Sequence, residues 1–200
     1  MQTGTQNPAK YFFQWKSDHQ KFCYYDKEKK ENVFIEMPFK FLALSKYITV
    51  KGWNQKKEHA LISNEVKNID DVLIVNAYKD GSKSEIARGG WNEIKEKMEI
   101  EKGKFTQSVY IMLPNGDVAN IQLSGASLST WFDFQKNQTD KFFDNWVVVN
   151  GFKEGKSGSV EYTYPVFEWG STLNKDEQGL AEYADGKKTL GSVPRWISTK

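Results

Sequence analysis

The residues that could carry out metal or nucleophilic chemistry are few and poorly spaced. The two histidines, His19 and His59, do not fall at a spacing that pairs either with a second metal ligand. Asp70 and Asp71 are adjacent before a predicted strand, so their carboxylates point to opposite faces. The single cysteine, Cys23, lies among aromatic residues in a predicted strand, where a buried and inert thiol is commoner than a nucleophile. We therefore expect no catalytic residue, no metal and no cofactor, and predict that the protein is not an enzyme.

Aromatic residues interleaved with lysines are the pattern that does suggest chemistry. The chain has 13 Phe, 9 Tyr and 7 Trp, and most of these rings are needed for a β-sheet core. Exposed rings could stack on single-stranded bases, at roughly 1–3 kcal/mol per base, while lysines neutralise phosphates. The candidate stacking residues are Tyr11, Phe13, Trp15, Tyr24, Trp53, Trp91 and Tyr110, of which we expect several to be core. The candidate phosphate contacts are Lys10, Lys16, Lys21, Lys51, Lys56, Lys57, Arg88 and Lys104.

The charge distribution favours phosphate as a ligand. The formal net charge is only +2, but residues 1–60 hold 11 Lys and 6 Asp or Glu, a balance of +5, which leaves −3 for the rest. Only Arg88 and Arg195 are arginine. Lysine ammonium groups act as point charges, which suits contacts to the nucleic-acid backbone better than bidentate recognition of base edges.

Short strands joined by turns must position these side chains. In the first predicted strand, Tyr11, Phe13 and Trp15 share one face and Phe12 and Gln14 the other, and the sequence leaves open which face is buried. Predicted strands cover 10–16, 21–25 and 33–37 as a meander, then 47–51, 72–78, 105–113, 118–123, 146–149 and 160–169. Predicted helices cover 91–98, 126–134 and 174–183, with a helical or irregular connection at 39–44, a hairpin or long loop at 54–68 and a loop at 151–159. The strand at 72–78 is expected to be central in its sheet, and Trp196 and Ile197 are candidates to dock on the fold.

These elements predict one domain and one fold class. We expect a mainly β protein with a few short helices, that is, a β-rich α+β fold over residues 1–200. Its β core would span about residues 8–170, followed by an irregular C-terminal extension at 171–200.

The order of several motifs resembles phage-encoded single-stranded DNA-binding proteins with an OB-fold core, as found in phages of Bacteroidetes-type hosts. The similar stretches are 11–15 with 22–25, VFIEMPF at 33–39, ISNEV at 62–66, GWNEIK at 90–95, KFTQSVY at 104–110, SGASLSTWFDF at 124–134 and YPVFE at 164–168. The resemblance implies a Greek-key β-barrel with added hairpins and helices, and a basic groove. It further implies sequence-tolerant coating of single strands in DNA replication or recombination. Many such proteins end in an acidic tail, whereas this sequence ends RWISTK, so we expect no recruitment of partners by an acidic tip.

The expected partner is therefore single-stranded DNA, together with replication or recombination proteins. The alternative is a phage virion or assembly protein whose aromatic residues fill a β core and whose partners are other proteins. Oligomeric state and the choice between DNA and RNA stay open. A single cysteine, a polar start and the lack of an apolar run of about 20 residues predict a cytoplasmic protein, in the host cytoplasm if phage-encoded, with no membrane partner.

Overall fold

The computed structural model describes residues 7–136 and 143–192, with side chains as far as residue 185. Most of this part of the chain lies in β-strands. The strands are β1 (Tyr11–Lys16), β2 (Lys21–Asp26), β3 (Glu31–Phe34), β4 (Phe39–Asn54), β5 (His59–Ser63), β6 (Leu73–Lys79), β7 (Ser82–Gly89), β8 (Gly103–Met112), β9 (Val118–Ser124), β10 (Asn145–Ser157) and β11 (Val160–Thr172). The helices are α1 (Trp91–Glu101), α2 (Gly125–Gln135) and α3 (Lys175–Ser192). The predicted β-rich α+β class is confirmed.

All eleven strands belong to one mixed sheet. Its main order is β3-β2-β1-β9-β8-β4-β5-β6-β7, and the β10–β11 hairpin joins it at β4. All described pairings are antiparallel except β1 with β9, which is parallel. The predicted meander of the first three strands is confirmed, as is the pairing of the strands now called β8 and β9. The strand predicted to be central, β6, instead lies second from one end of the main order, where it pairs with β5 and with the edge strand β7.

The sheet is not closed, so the Greek-key barrel implied by the resemblance is corrected to an open mixed sheet. Hydrogen bonds that involve side chains, rather than backbone ladder bonds, link the end of β1 to β11. The indole N–H of Trp15 donates to the carbonyl oxygen of Thr163 at 2.9 Å. The backbone N–H of Thr163 donates to the Ser17 hydroxyl at 2.6 Å. These hydrogen bonds hold the two strands together although β1 and β11 do not pair through their backbones.

The longest strand, β4, replaces the helical or irregular connection predicted at 39–44. That stretch, Phe39-Lys40-Phe41-Leu42-Ala43-Leu44, is apolar at nearly every position, so it lacks the alternation that marks a half-buried strand. The structure gives the reason, because β4 is buried on both faces here. Phe39 and Phe41 pack in one core cluster, while Leu42 and Leu44 pack in another.

Three hydrophobic clusters make up the core. The first lies between β1, β2, the start of β4, β8–β11 and helix α2, whose Trp131 is fully buried. The second includes Tyr110 and Trp146, and Ala184 of α3 contributes to it. The third lies between the end of β4, β5–β7 and α1, with Met98 at its centre. Each helix thus covers one side of the sheet with its apolar stripe.

Some of the other predicted helices, strands and loops are confirmed, and others are wrong. Helices α1 and α2 lie where they were predicted, and the β4–β5 hairpin fills the ambiguous 54–68 region. The polar strand β7 was missed, and the predicted 151–159 loop is mostly strand, because β10 and β11 continue as a long hairpin. Helix α3 runs to Ser192, beyond the end predicted at 183. Trp196 and Ile197 lie outside the described residues. Within the described residues, no helix combines the length and apolar character that crossing a membrane requires.

Candidate functional site

An open groove of about 1180 Å³ crosses one face of the sheet, from the β4–β5 hairpin to β1. We call it the lysine groove. Its lining includes five lysines, two exposed apolar side chains, one exposed tryptophan and several uncharged polar side chains. These are Lys51, Lys56, Lys57, Lys102 and Lys104, then Ile62 and Ile100, then Trp53, and then Gln14, Gln55, Thr106, Gln122 and Ser124.

The strand register explains why these side chains share a face. Lys51 on β4 is the direct cross-strand partner of Ile62 on β5 and of Lys104 on β8. Direct partners point to the same side of a sheet, and so do residues two apart along a strand. Trp53 therefore follows Lys51 on this face, and its side chain is 58% exposed. The register brings an open aromatic ring to within two residues of a pair of lysines.

Two facing glycines let Lys102, at the junction of α1 and β8, reach the groove. Gly52 on β4 pairs with Gly103 on β8. A Cβ atom built on Gly52 would overlap the carbonyl oxygen of Lys102, which caps α1 in a left-handed conformation with φ of 66°. A Cβ on Gly103 would lie 2.9 Å from the Met98 sulfur. Only glycines permit this close approach, which sets Lys102 beside the end of β4.

The groove is strongly cationic. Among the residues that the structure describes, no aspartate or glutamate lines it. Lys57 is ion-paired with Glu101, but Lys51, Lys56, Lys102 and Lys104 form no ion pair with any carboxylate in the described part of the chain. Burial lowers the pKa of Lys51, because desolvation penalises the ammonium form, and the nearby Glu65 opposes that shift. A site with four ammonium groups that form no ion pair attracts anions.

A buried carboxylate below the groove fixes the β4–β5 hairpin. Glu101, at the end of α1, is only 8% exposed. Its Oε1 accepts a hydrogen bond from Lys57 Nζ at 2.5 Å, and its Oε2 accepts one from Asn54 Nδ2 at 3.2 Å. His59 Nε2 lies 3.6 Å from the same Oε2. The hydrogen bond from Lys57 is the main cause that lowers the pKa of Glu101. Glu101 thereby ties both ends of the hairpin turn to the helix.

Five of the fifteen predicted binding residues meet in this groove: Lys51, Trp53, Lys56, Lys57 and Lys104. Two of the predicted stacking residues are enclosed, since Phe13 is 2% exposed and Tyr110 is 1% exposed. A ring with neither face open cannot stack on a base, so Phe13 and Tyr110 are not stacking residues. Phe13 belongs to the first core cluster and Tyr110 to the second.

The other predicted rings also pack against the core, away from the groove. Tyr11, Trp15 and Tyr24 lie against the first core cluster, and the Trp15 indole is committed to Thr163. Trp91 packs edge-on against Phe105, with ring centroids 5.1 Å apart. These four rings are partly buried, and the groove contains none of them.

The remaining predicted cations do not line the groove either. Lys16, at the end of β1, is partly buried. The others form ion pairs elsewhere on the surface: Lys10 with Asp117 at 2.9 Å, Lys21 with Glu36 at 2.7 Å, and Arg88 with Glu85 at 2.7 Å.

Sequence reasoning missed Lys102, Ile62 and Ile100 in the groove. The charged Glu101-Lys102-Gly103-Lys104 run was available as a signal, because glycine after a helix commonly marks a C-cap. The sequence also did not tell which face of β1 is buried. The structure places Phe12 and Gln14 outside, and Phe12 is 44% exposed.

The described residues hold no group of three or more His, Cys, Asp or Glu side chains placed to bind a metal ion. Comparison of the chain with protein-family models, with curated proteins and with solved structures finds no match. The function of the lysine groove is therefore inferred from its geometry and charge.

Proposed function

We propose that this protein binds single-stranded DNA in the lysine groove with little dependence on sequence. The observation that carries the proposal is the convergence of four unpaired lysines and the exposed Trp53 in one open groove without acidic lining residues. Ammonium groups bind backbone phosphates, and an open indole face stacks on any base. Binding of this kind needs no bond-making residue. The sequence resemblance supports placing the activity in phage DNA replication or recombination.

The shape of the groove suits a flexible single strand. It is open to solvent and its lining comes from several strands, so a flexible chain of nucleotides can lie along it. Its exposed apolar side chains, Ile62 and Ile100, flank the lysines and add surface on which a base can lie. Phosphates would follow the lysines while at least one base stacks on Trp53. This arrangement satisfies both the charged and the apolar part of a nucleotide.

Titration of tryptophan fluorescence with dT oligonucleotides, at low and at high salt, tests the proposal. We expect quenching that salt reverses. Trp53→Ala should remove most of the quenching and weaken binding roughly five- to 150-fold, because one stacked base contributes about 1–3 kcal/mol. Phe132→Ala is the matched control, since Phe132 is an exposed ring on α2 that does not line the groove. It should bind like the unmodified protein.

Absence of any salt-reversible binding, confirmed by a gel shift, would overturn the proposal. Co-purification with capsid or tail components would then favour the virion or assembly protein. Equal loss of affinity in the Trp53 and Phe132 variants would also contradict it, because a general effect on the fold would explain both.

A further inference from the structure

The two sides of the lysine groove differ in charge. All five lysines come from β4, the β4–β5 turn, the α1–β8 junction and the start of β8. The side formed by β9 and β1 contributes only uncharged polar groups, Gln14, Gln122 and Ser124. In nucleic-acid complexes phosphate contacts set position, whereas polar contacts to base edges discriminate between bases. A single strand whose backbone follows the lysines would stack one base on Trp53 and turn neighbouring bases toward the uncharged side.

Two glutamines lie next to each other on that side. Gln14 on β1 and Gln122 on β9 are direct partners in the parallel pairing, so their side chains extend from the same face of the sheet. Gln14 is exposed and Gln122 is partly exposed. Neither side-chain amide forms a hydrogen bond with another group in the described part of the chain. Both amides are therefore open to a ligand that enters the groove.

An exposed ring that does not itself line the groove lies on the same face of the sheet as the glutamine pair. Phe12 precedes Gln14 by two residues on β1, which places it on the same face at a distance of about 7 Å along the strand. Phe12 is 44% exposed, whereas Tyr11, Phe13 and Trp15 on the opposite face pack against the core. A base lying against Phe12 would have its edge within reach of the Gln14 amide. The structure thus supplies a stacking surface and an edge-reading group side by side.

We infer that Gln14 and Gln122 read the edge of adenine, which adds a roughly fivefold preference for adenine to binding that otherwise depends little on sequence. This inference rests on the proposed function. A glutamine amide can donate its N–H to adenine N7 and accept a hydrogen bond from the adenine N6 amino group. Guanine presents an acceptor, O6, where adenine presents that donor, and pyrimidines have no N7. The preference is therefore a property of two amides, separate from the charge of the lysines.

Oligonucleotides of equal length made of deoxyadenosine or of 7-deaza-2′-deoxyadenosine test the inference. The deaza base keeps the amino group and the flat aromatic surface but lacks the N7 acceptor. We expect the unmodified protein to bind the deaza strand roughly fivefold more weakly, the effect of about one lost hydrogen bond. The Gln14→Ala/Gln122→Ala double variant should bind both strands equally. Gln55→Ala, a change to another exposed glutamine of the groove at its lysine side, should keep the difference.

The outcomes separate this inference from the proposed function. Salt-dependent binding of both strands with equal affinity by the unmodified protein would overturn the adenine preference and leave single-strand binding intact. No binding of either strand would overturn single-strand binding itself. A double variant that keeps the difference would also overturn the assignment to these glutamines. If the double variant does not fold, Gln14→Ala alone provides the same comparison, because that side chain is exposed.

Discussion

At the scale of single residues, Glu101 is the acid on which the geometry of the lysine groove depends. It is enclosed at the end of α1 and accepts hydrogen bonds from Asn54, at the end of β4, and from Lys57, within the β4–β5 turn. Trp53 immediately precedes Asn54. The position of the stacking ring is therefore linked to a carboxylate that does not itself line the groove.

Replacing this carboxylate by its amide should loosen the hairpin. We expect Glu101→Gln to lower the free energy of unfolding by roughly 1–2 kcal/mol, because charge-assisted hydrogen bonds to Lys57 and Asn54 are weakened. Urea denaturation followed by circular dichroism measures the change. Glu99→Gln is the control, since Glu99 is exposed on the same helix and should shift the midpoint little.

The Glu101→Gln variant also tests how the stability of the protein depends on pH. The pKa of Glu101 is lowered in the folded protein, so the unfolded chain binds its proton more readily. The stabilisation is complete above the ordinary carboxyl pKa of 4.5 and is lost as the pH falls below that value. Between pH 7 and pH 3 the unmodified protein should therefore lose more stability than Glu101→Gln. Equal losses in both proteins would contradict the role given to Glu101.

Residue types and spacing predicted part of the groove. Lys51, Lys56 and Lys57 were recognisable because they cluster around an isolated tryptophan in a basic part of the chain. For Phe13 the sequence leaves both outcomes open, since alternation groups Tyr11, Phe13 and Trp15 on one face but does not tell which face is buried. That information comes from what packs against β1, namely the partners that build the first core cluster.

At the scale of secondary-structure elements, the close approach of β4 to the α1–β8 junction builds the cationic end of the groove. Gly52 faces Gly103, and the carbonyl of Lys102 occupies the space that a side chain on Gly52 would need. The obstacle is backbone, which cannot rotate away as the end of a flexible side chain can. β4 can thus approach the Lys102 backbone this closely only because Gly52 has no Cβ atom.

Gly52→Ala should therefore destabilise the fold and disturb the groove together. We expect a loss of about 1–3 kcal/mol in the free energy of unfolding, the usual cost of overpacking, and weaker oligonucleotide binding. Gly151→Ala on β10 is the control, because a Cβ at Gly151 meets no atom within 4 Å. Thermal unfolding and fluorescence titration measure both effects. An unchanged melting temperature in Gly52→Ala would contradict the close approach.

Element prediction succeeded where a strand or helix has one apolar face and failed elsewhere. Helices α1 and α2 show apolar residues at helical spacing and were recognised. The start of β4 has two buried faces and so no alternation, while β7, with the sequence Ser-Lys-Ser-Glu-Ile-Ala-Arg-Gly, has few apolar residues to alternate. The outer half of β10 was missed because its sequence, Phe-Lys-Glu-Gly-Lys-Ser, is mostly polar, and its backbone hydrogen bonds to β11 stabilise it as a strand.

At the scale of the whole molecule, the groove combines two segments that are distant in the sequence. Lys51, Lys56 and Lys57 belong to the basic first 60 residues, whereas Lys102 and Lys104 come from the more acidic remainder. The pairing of β4 with β8 joins them. Charge counts along the chain could predict the first group, but only the sheet topology could predict that the second group completes it.

The number of unpaired lysines predicts how salt affects binding. Each phosphate contact on a single strand contributes about −0.7 to the slope of log K against log salt concentration, so four contacts give roughly −3. Lys102→Ala and Lys104→Ala should each reduce the slope by roughly 0.7. Lys29→Ala, in the exposed β2–β3 turn outside the groove, should leave it unchanged. A slope near zero in the unmodified protein would contradict phosphate binding at this site.

The open ends of the sheet bear on how the protein behaves at high concentration. The main strand order ends at β3 and at β7, and β11 forms a further edge because it pairs only with β10. Unpaired backbone groups on such edges are templates for strands of other molecules. Strand β7 carries exposed Lys83, Glu85 and Arg88, and β3 begins with the exposed Glu31. Charged side chains on an edge strand oppose the addition of a further chain. The polar character of β7, which leaves it without an apolar alternation, thus also opposes strand addition at that edge of the sheet.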